Sequence, residues 1–218
     1  MRKAWIAAFE APGDRSVQRS HLLLDHLVRA SKSARGFPRG LELSTRILPY
    51  GPSFRRTLER ALARRPDIVL LLDDTHLEEI RIERVALNRR PSDGALAAPT
   101  PLLPGAPAAY FTPLPLEAAR RSSSRSGVRL GISSLPQTGV GNAAHFFVLH
   151  RARQQHEDAP LVALLGIPIR SQAISLQESA RSIVALLRFL VGAKTAQGKQ
   201  RNVPRPSTGA TPAAGRKA

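Results

Sequence analysis

IVLLL, residues 68–72, is an unbroken run of leucine and β-branched side chains with no polar position. A strand with one solvated face would alternate apolar and polar residues, whereas this run does not. It is typical of a strand covered on both faces, as in a parallel sheet between helices. The preceding segment, residues 54–65, has apolar residues at helical spacing, and Pro66 ends that pattern. The order is therefore helix and then buried strand.

Other segments extend the same alternation. Strands are predicted for AWIAAF, LELSTRILP, IRIERVAL, VRLGISS and LVALLGIP, which begin at residues 4, 41, 80, 128 and 161. Helical spacing is found near residues 17–28, from Phe54, after Gly141 and after Ser175. The stretch RRPSDGALAAPTPLLPGAPAAYF, residues 89–111, is predicted to be a long ordered loop. Strands alternating with helices predict a three-layer α/β/α sandwich with a largely parallel central sheet.

The chain divides into one domain and a tail. With 218 residues and 42% hydrophobic content, it can bury one sizeable core. Ser175 followed by Glu178 forms a capping box, and an apolar stripe then continues to Gly192, where we expect the last helix to end. Residues 193–218 contain no acidic residue and no apolar period. We therefore predict a domain over 1–192 and a disordered basic tail over 193–218.

The charge and the absence of cysteine limit the possible functions. A formal charge of +17 would attract nucleic acid, but the arginines are spread along the chain and only 5% of residues are aromatic, so we do not expect specific nucleic-acid binding. Without cysteine there is no disulfide, thiolate metal site or cysteine nucleophile. Glu10 interrupts the first apolar run, and no run is long enough to span a bilayer, so we expect a soluble, cytoplasmic protein without a membrane partner.

The stretch PQTGVGNAAHFFVLH, residues 136–150, is a glycine-bearing loop that runs into an apolar helix. The first turn of such a helix offers free N–H groups and a favourable dipole, where an α/β enzyme often places a nucleophile. Here that turn holds Gly141, which has no side chain. The position is typical of a reactive group, and the group is missing.

Four stretches give the sequence a family resemblance. These stretches are RPDIVLLL, IRIERVALN, PGAPAAYFTPLP and GNAAHFFVLH. In order and spacing they resemble four motifs of pyroglutamyl peptidase I, also called pyrrolidone-carboxylate peptidase. The motifs are KPDxxxxxG, IxxERxAxN, PGAPxAYFxxLP and a CN-led helix ending in LH. The resemblance runs from Phe9 to the last helix and implies the same sandwich fold. It also implies a homo-oligomer, since members are often tetramers.

The same resemblance assigns roles to individual positions. The family removes an N-terminal pyroglutamate with a cysteine nucleophile, a histidine base and a glutamate that orients the histidine. The glutamate matches Glu83, while the cysteine and histidine positions match Gly141 and Gly166. Acyl transfer by this route needs both a nucleophile and a base, so we expect an inactive member with Glu83 as a remnant.

The substrate pocket is altered as well. The family's GFEPFGG turn, which supplies two aromatic rings to the pyroglutamate ring, is AFEAPGD here, so Phe9 matches the first ring and Pro12 replaces the second. Arg90 matches a basic residue of the following family loop, which is shortened in this chain. We expect a degraded pyroglutamate site in which Phe9 and Arg90 are the remaining substrate-binding candidates.

Other groups could in principle supply chemistry. Hydroxyls at Ser133, Ser134 and Thr138 and the imidazole of His145 are near the glycine loop in sequence, but a hydroxyl needs a positioned base. A cluster after the buried strand could hold a divalent ion, although it matches no established metal spacing: Asp73, Asp74, His76, Glu78 and Glu79. Glu83 could equally form a structural ion pair with Arg84. We expect no cofactor and no metal.

Three hypotheses remain from the sequence. The first is a non-catalytic binding or structural protein on a peptidase fold. The second is a residual or altered hydrolase that uses Asp73, Asp74, His76 or Glu83, on pyroglutamyl peptides or related amides. The third is a basic protein associated with nucleic acid through its tail, for which binding would fall steeply with salt.

Overall fold

The computed structural model describes residues 1–10, 18–33, 37–51, 53–91, 100–135, 138–155, 159–169 and 174–201, with side chains through residue 196. Five helices connect the strands: α1 (Arg19–Lys32), α2 (Phe54–Ala63), α3 (Leu116–Arg125), α4 (Val140–Gln154) and α5 (Leu176–Arg201). The eight strands are β1 (Arg2–Phe9), β2 (Leu41–Leu48), β3 (Ile68–Thr75), β4 (Arg81–Glu83), β5 (Val85–Leu87), β6 (Ala109–Phe111), β7 (Gly131–Ser133) and β8 (Leu161–Pro168).

Six strands form the central sheet, in the order β2-β1-β3-β8-β4-β7. Four of the five neighbouring pairs are parallel, and only β4 with β8 is antiparallel. β3 lies near the middle of the sheet, and Ile68 to Leu72 are fully buried, as the unbroken apolar run predicts. The predicted α/β fold with a largely parallel sheet is confirmed.

Helices cover both faces of this sheet. One core cluster joins even-numbered β3 residues to α1, α3 and α5, with Leu70 and Leu72 among its members. The other joins Val69 and Leu71 to α2 and α4. Because side chains alternate along a strand, the β3 residue after Leu72 faces α4 and the next one faces α1. This alternation decides where the residues of the candidate site point.

The predicted strand IRIERVAL is divided in the structure. Arg81–Glu83 belongs to the central sheet as β4, whereas Val85–Leu87 leaves it as β5 and pairs with β6 in a separate two-stranded antiparallel sheet. Arg84 lies at the crossing, where its N–H donates to the Ser133 carbonyl and its carbonyl accepts from Thr112 N–H. β6 also gives strand structure to the end of the predicted long loop, of which residues 92–99 lie outside the described part.

The last helix is longer than the sequence pattern predicts. Ser175 and Glu178 form the predicted capping box, with Ser175 N–H donating to the Glu178 carboxylate at 2.8 Å and Glu178 N–H donating to Ser175 Oγ at 3.1 Å. The expected end at Gly192 is wrong, since α5 continues to Arg201. Gly192 keeps an ordinary helical backbone, and the Ala, Lys, Gln and Arg that follow favour helix. The predicted disorder of residues 202–218 lies outside the described residues.

Among the residues that the structure describes, none of the helices is both long and apolar enough to cross a membrane.

Candidate functional site

The start of α4 lies against the ends of two central strands. Asp73 near the end of β3 is paired in parallel register with Gly166 of β8, and both continue the alternate positions of their strands that face α4. Gly141 is buried in the first turn of α4. Glu83 at the end of β4 is only 1% exposed, and its charge acts on Asp73. The structure therefore brings Gly141, Gly166 and Glu83 to one region, together with Asp73.

Asp73 occupies the space that a side chain at position 141 would need. A Cβ placed on Gly141 would overlap Asp73 Oδ2 and would lie 2.7 Å from Cγ and 3.0 Å from Cβ of the same aspartate. Real Cβ atoms essentially never approach heavy atoms this closely, so residue 141 can carry a side chain only if Asp73 moves. The place of a side chain at position 141 is thus filled by the Asp73 carboxyl group.

The Asp73 carboxyl has an unusual acidity. Burial raises its pKa to about 7, and repulsion from the Asp74 and Glu83 carboxylates acts in the same direction. A hydrogen bond from the Asp74 backbone opposes the shift only in part. Asp73 is therefore partly protonated at neutral pH, which reduces the cost of packing it against the apolar start of α4.

Asp74 points to the opposite face of the sheet. Its carboxylate accepts hydrogen bonds at 3.0 Å from both the N–H and the Oγ of Ser20, at the start of α1. Burial raises its pKa, while the hydrogen bonds from Ser20 and the charges of His21 and Arg19 counteract that rise. The Asp74 carboxylate caps α1 and does not join Asp73 in a common site.

The proposed cluster of metal ligands is not assembled. Asp73 and Asp74 face different helices, and Glu79 forms an ion pair with Arg81 at 3.0 Å. Across the described residues, no three His, Asp or Glu side chains lie close enough together to hold a metal ion. The five residues therefore do not form the metal site that was one alternative from the sequence.

None of the four replacement groups is arranged as a nucleophile and base. Ser133 is buried, and its hydroxyl donates to the Leu135 carbonyl at 2.9 Å. Ser134 and Thr138 are exposed at the start of the loop and at its end. His145 is fully buried within α4, and burial lowers its pKa to about 3, so the ring is neutral and a weak proton acceptor at pH 7.

The alternative pairing of Glu83 with Arg84 is not the arrangement found. Arg84 is exposed, and its carboxylate partner is Glu117 of α3, at 3.8 Å. Glu83 is buried, and its charge contributes to the raised pKa of Asp73. In this structure Glu83 acts on a neighbouring carboxyl and has no histidine at Gly166 to orient.

The two substrate-binding candidates differ in their surroundings. Phe9 is 3% exposed and belongs to the core cluster of α2 and α4, with its carbonyl 2.9 Å from His21 Nε2. Arg90 is exposed on the loop after β5, where its N–H donates to the Thr100 carbonyl. Pro12 lies outside the described residues. Phe9 is therefore held as a core residue, and Arg90 is fixed through its backbone.

The motif residues that this chain keeps make contacts between elements. The Asn142 side chain donates to and accepts from the Leu87 backbone, at 3.0 and 2.8 Å, which ties α4 to β5. Asn88 bonds to Leu103 and Ala106 in the PGAP loop. Tyr110 stacks on Phe146 and places its hydroxyl 2.9 Å from His150 Nδ1. In the sequence these residues form a pattern, and in the structure they join α4, β5, β6 and the PGAP loop.

A sequence model of pyroglutamyl peptidases matches residues 40–194, which include β3, β4, α4 and β8. The chain belongs to the pyroglutamyl peptidase family. This match covers most of the folded part and all of the site residues predicted from the sequence except Phe9 and Pro12.

Curated relatives and solved structures agree with this assignment. Pyrrolidone-carboxylate peptidase 1 of Ralstonia nicotianae is 34% identical over 119 residues, or 51% of this chain and 55% of that protein. The Chromobacterium violaceum pyrrolidone-carboxylate peptidase is 27% identical over 173 residues, covering 73% and 80%. The first of these alignments spans about half the length of the relative. The crystal structure of pyrrolidone carboxyl peptidase from Pyrococcus furiosus has the same fold, with a TM-score of 0.74 at 19% identity over 88% of this chain and 99% of that one.

The contact between Asp73 and Gly141 is not predicted from the sequence, where Asp73 is a candidate metal ligand or a candidate group of an altered hydrolase. A signal was nevertheless present. The family pattern KPDxxxxxG, counted from Arg65, puts its glycine at position 73, where this chain has aspartate. By the resemblance to the family patterns, Asp73 stands at a glycine position and Gly141 at a cysteine position, and these two positions are in contact.

Proposed function

We propose that this chain is a non-hydrolytic member of the pyroglutamyl peptidase family with a binding or structural role. Neither the nucleophile nor the base position carries a reactive side chain, since these positions are Gly141 and Gly166. A water molecule alone is a poor replacement for an activated nucleophile in amide hydrolysis. The proposal therefore keeps the family fold and removes the family reaction.

The observation that carries the proposal is the position of Asp73. A lost nucleophile would leave a cavity, whereas here the Asp73 carboxyl lies in that volume. A carboxyl with a pKa near 7, packed against the first turn of α4, also places negative charge where an oxyanion would have to form. Both effects oppose binding and turnover of an acyl substrate at this position.

The retained framework supports a role that depends on shape. Asn142, Asn88 and Tyr110 hold the region together although the reacting groups are absent. Such contacts preserve the fold and a surface, and they need no chemistry at Gly141.

Hydrolysis of a fluorogenic pyroglutamyl amide tests the proposal. The full chain should release no more fluorophore than a heat-denatured sample of the same preparation. The proposal would be contradicted if the native chain released more fluorophore than the denatured sample and this release were lost in Asp73→Asn or Glu83→Gln. Release that persists in both variants would equally contradict it and would place the reacting group elsewhere.

A second candidate, an altered hydrolase, is favoured by one observation. Asp73 titrates near neutral pH beside the buried Glu83, and two coupled carboxyls can hold and transfer a single proton. An enzyme of this kind would act on pyroglutamyl peptides or related amides with a rate that changes around pH 7. A pH profile of any observed hydrolysis, in the native chain and in Glu83→Gln, distinguishes it, because loss of the Glu83 charge would shift the Asp73 step to lower pH.

A further inference from the structure

An arginine-lined cavity lies between α3 and the start of β7, apart from the region of Gly141. Its volume is about 690 Å³, and five arginines line it: Arg81, Arg120, Arg121, Arg125 and Arg129. Glu79 is the single acidic residue among the described residues of the lining. The volume is within the usual range for small-molecule sites, which is about 300–1,000 Å³.

Two of these arginines already have carboxylate partners. Arg81 pairs with Glu79 at 3.0 Å, and Arg120 pairs with Glu117 at 2.8 Å. Arg121, Arg125 and Arg129 are exposed, and their side chains form no ion pair or hydrogen bond with the described residues. Three like charges therefore line one cavity without compensation, an arrangement that attracts an anion.

The backbone explains why these side chains converge. Arg121 and Arg125 are four residues apart on α3 and share one helix face. Gly131 brings β7 close to the Glu79–Arg81 pair, because a Cβ there would lie 2.6 Å from Glu79 Oε1 and 2.9 Å from Arg81 Cγ. The close approach places the strand that follows Arg129 directly beside Arg81.

The adjoining surface limits the size of the anion. A second cavity of about 580 Å³ shares Glu79, Arg81 and Arg129 with the first, and the charged residues that its lining adds are Glu78, Glu178 and Arg181. A long polyanion continuing in that direction would meet two further carboxylates and only one further arginine among the described residues. Among the described residues that line the two cavities none is aromatic, so these residues offer no platform on which a base could stack.

We infer that this cavity binds a small molecule through a phosphomonoester or diphosphate group. Guanidinium groups match phosphate oxygens with paired, charge-assisted hydrogen bonds, and Arg121, Arg125 and Arg129 are available to make them. The lining includes none of Asp73, Gly141 and Gly166, so this site is independent of the proposed loss of peptidase activity.

Calorimetric titration of the full chain with inorganic pyrophosphate tests the inference. At about 150 mM salt the diffuse attraction of the basic chain is screened beyond roughly 8 Å, so saturable binding reports a local site. We expect one site per chain. Arg121→Gln with Arg125→Gln should weaken binding by at least about tenfold, and Arg129→Gln alone should also weaken it.

A matched control separates a site from general charge. Arg56 and Arg60 on α2 have the same four-residue spacing and are also exposed, so Arg56→Gln with Arg60→Gln removes equal charge elsewhere. This variant should bind pyrophosphate within about twofold of the native chain. Equal weakening in both double variants, or no saturable binding to the native chain, would overturn the inference.

Binding of a fluorescent single-stranded oligonucleotide tests the alternative that these arginines bind the phosphates of nucleic acid. If it binds the native chain, depends on Arg121 and Arg125, and pyrophosphate does not compete with it, the surface recognises nucleic acid and the inference is wrong. Competition by pyrophosphate at the same arginines supports a phosphate site.

Discussion

At the start of α4, the Asp73 carboxyl lies where a Cβ at position 141 would be, so the effects of substitutions at these two positions on stability are coupled. In the native chain, Gly141→Ala forces a methyl group against the Asp73 carboxyl and should cost about 1–3 kcal/mol of unfolding free energy. With Asp73→Gly in place, the space is free and alanine favours helix over glycine by up to about 1 kcal/mol. Urea unfolding of the four chains should therefore show that the Gly141→Ala effect changes sign.

The control for this cycle is a helical glycine with free space around it. A Cβ on Gly192 would have no heavy atom within 4 Å, so Gly192→Ala should stabilise the chain by up to about 1 kcal/mol, irrespective of Asp73. A Gly141→Ala effect that is the same with and without Asp73 would show that the two side chains do not compete.

The acidity of Asp73 predicts a pH dependence of stability. Its pKa is raised from 3.8 to about 7 on folding, so the folded state binds more protons between these values. The contribution of this group to stability is therefore complete below about pH 4 and is lost as the pH rises to about 7. Urea unfolding from pH 4.5 to 8 should show a smaller decrease with pH in Asp73→Asn than in the native chain.

Glu83→Gln provides a second variant for the same titration. It removes one of the repulsive charges acting on Asp73, so the decrease in stability attributed to Asp73 should move to lower pH. Identical pH profiles in the native chain and Asp73→Asn would mean that Asp73 does not titrate in this range.

At the residue scale, the sequence indicates that positions 141 and 166 lack side chains, but it does not indicate that the Asp73 carboxyl fills the space at position 141. The resemblance assigns Gly141 because the neighbouring Asn142 and His150 keep their positions, and Gly166 because LLGIP stands where the family has its HVP motif. The contact of Asp73 with Gly141 joins residues far apart in the chain, and no local periodicity reports it. Only the glycine of the family pattern at position 73 pointed to it.

At the scale of elements, the start of α5 offers a direct test of the cap. Ser175 accepts from the Glu178 N–H and Glu178 accepts from the Ser175 N–H, so both helix-start donors are satisfied. Ser175→Ala should cost about 1 kcal/mol of unfolding free energy, measured in urea. Ser126→Ala, at the exposed end of α3, is the comparison and should change the stability by less than about 0.5 kcal/mol. Equal losses in the two variants would refute the cap.

The element boundaries show where sequence patterns reach their limit. The capping box at Ser175 is local chemistry and was predicted correctly. The end of α5 was not, because Gly192 stops a helix only when its backbone adopts a left-handed conformation, which it does not. Beyond it, Lys194 Nζ donates to the Ala159 carbonyl at 2.6 Å, a long-range contact that a sequence pattern cannot show.

The separation of β4 from β5 has a similar cause. IRIERVAL contains one continuous strand pattern, but Arg84 bonds to Ser133 and Thr112 through its backbone, and the chain changes sheets there. The change depends on partners that are distant in sequence. It also leaves Glu83 buried near Asp73 while Arg84 is turned outward to Glu117.

At the scale of the whole molecule, the sandwich was predictable because strands buried on both faces need helices on both sides. In the central sheet, β3 lies near the middle, and β4 and β8 form the antiparallel pair. The arginine-lined cavity was not predictable. The arginines that line it come from α3, β4 and the approach to β7. The sequence shows that arginines are numerous, and only the fold shows that these lie together.

Rebuilding the active site is the most direct test of the central claim, that Asp73 fills the place of an absent nucleophile. Hydrolysis of a fluorogenic pyroglutamyl amide should be measured for the native chain, for Gly141→Cys with Gly166→His, and for the same pair with Asp73→Gly. We predict that the native chain is inert and that the triple variant is more active than the double variant, because only the triple variant has space for the thiol. Hydrolysis by the native chain, or a double variant as active as the triple, would contradict this account.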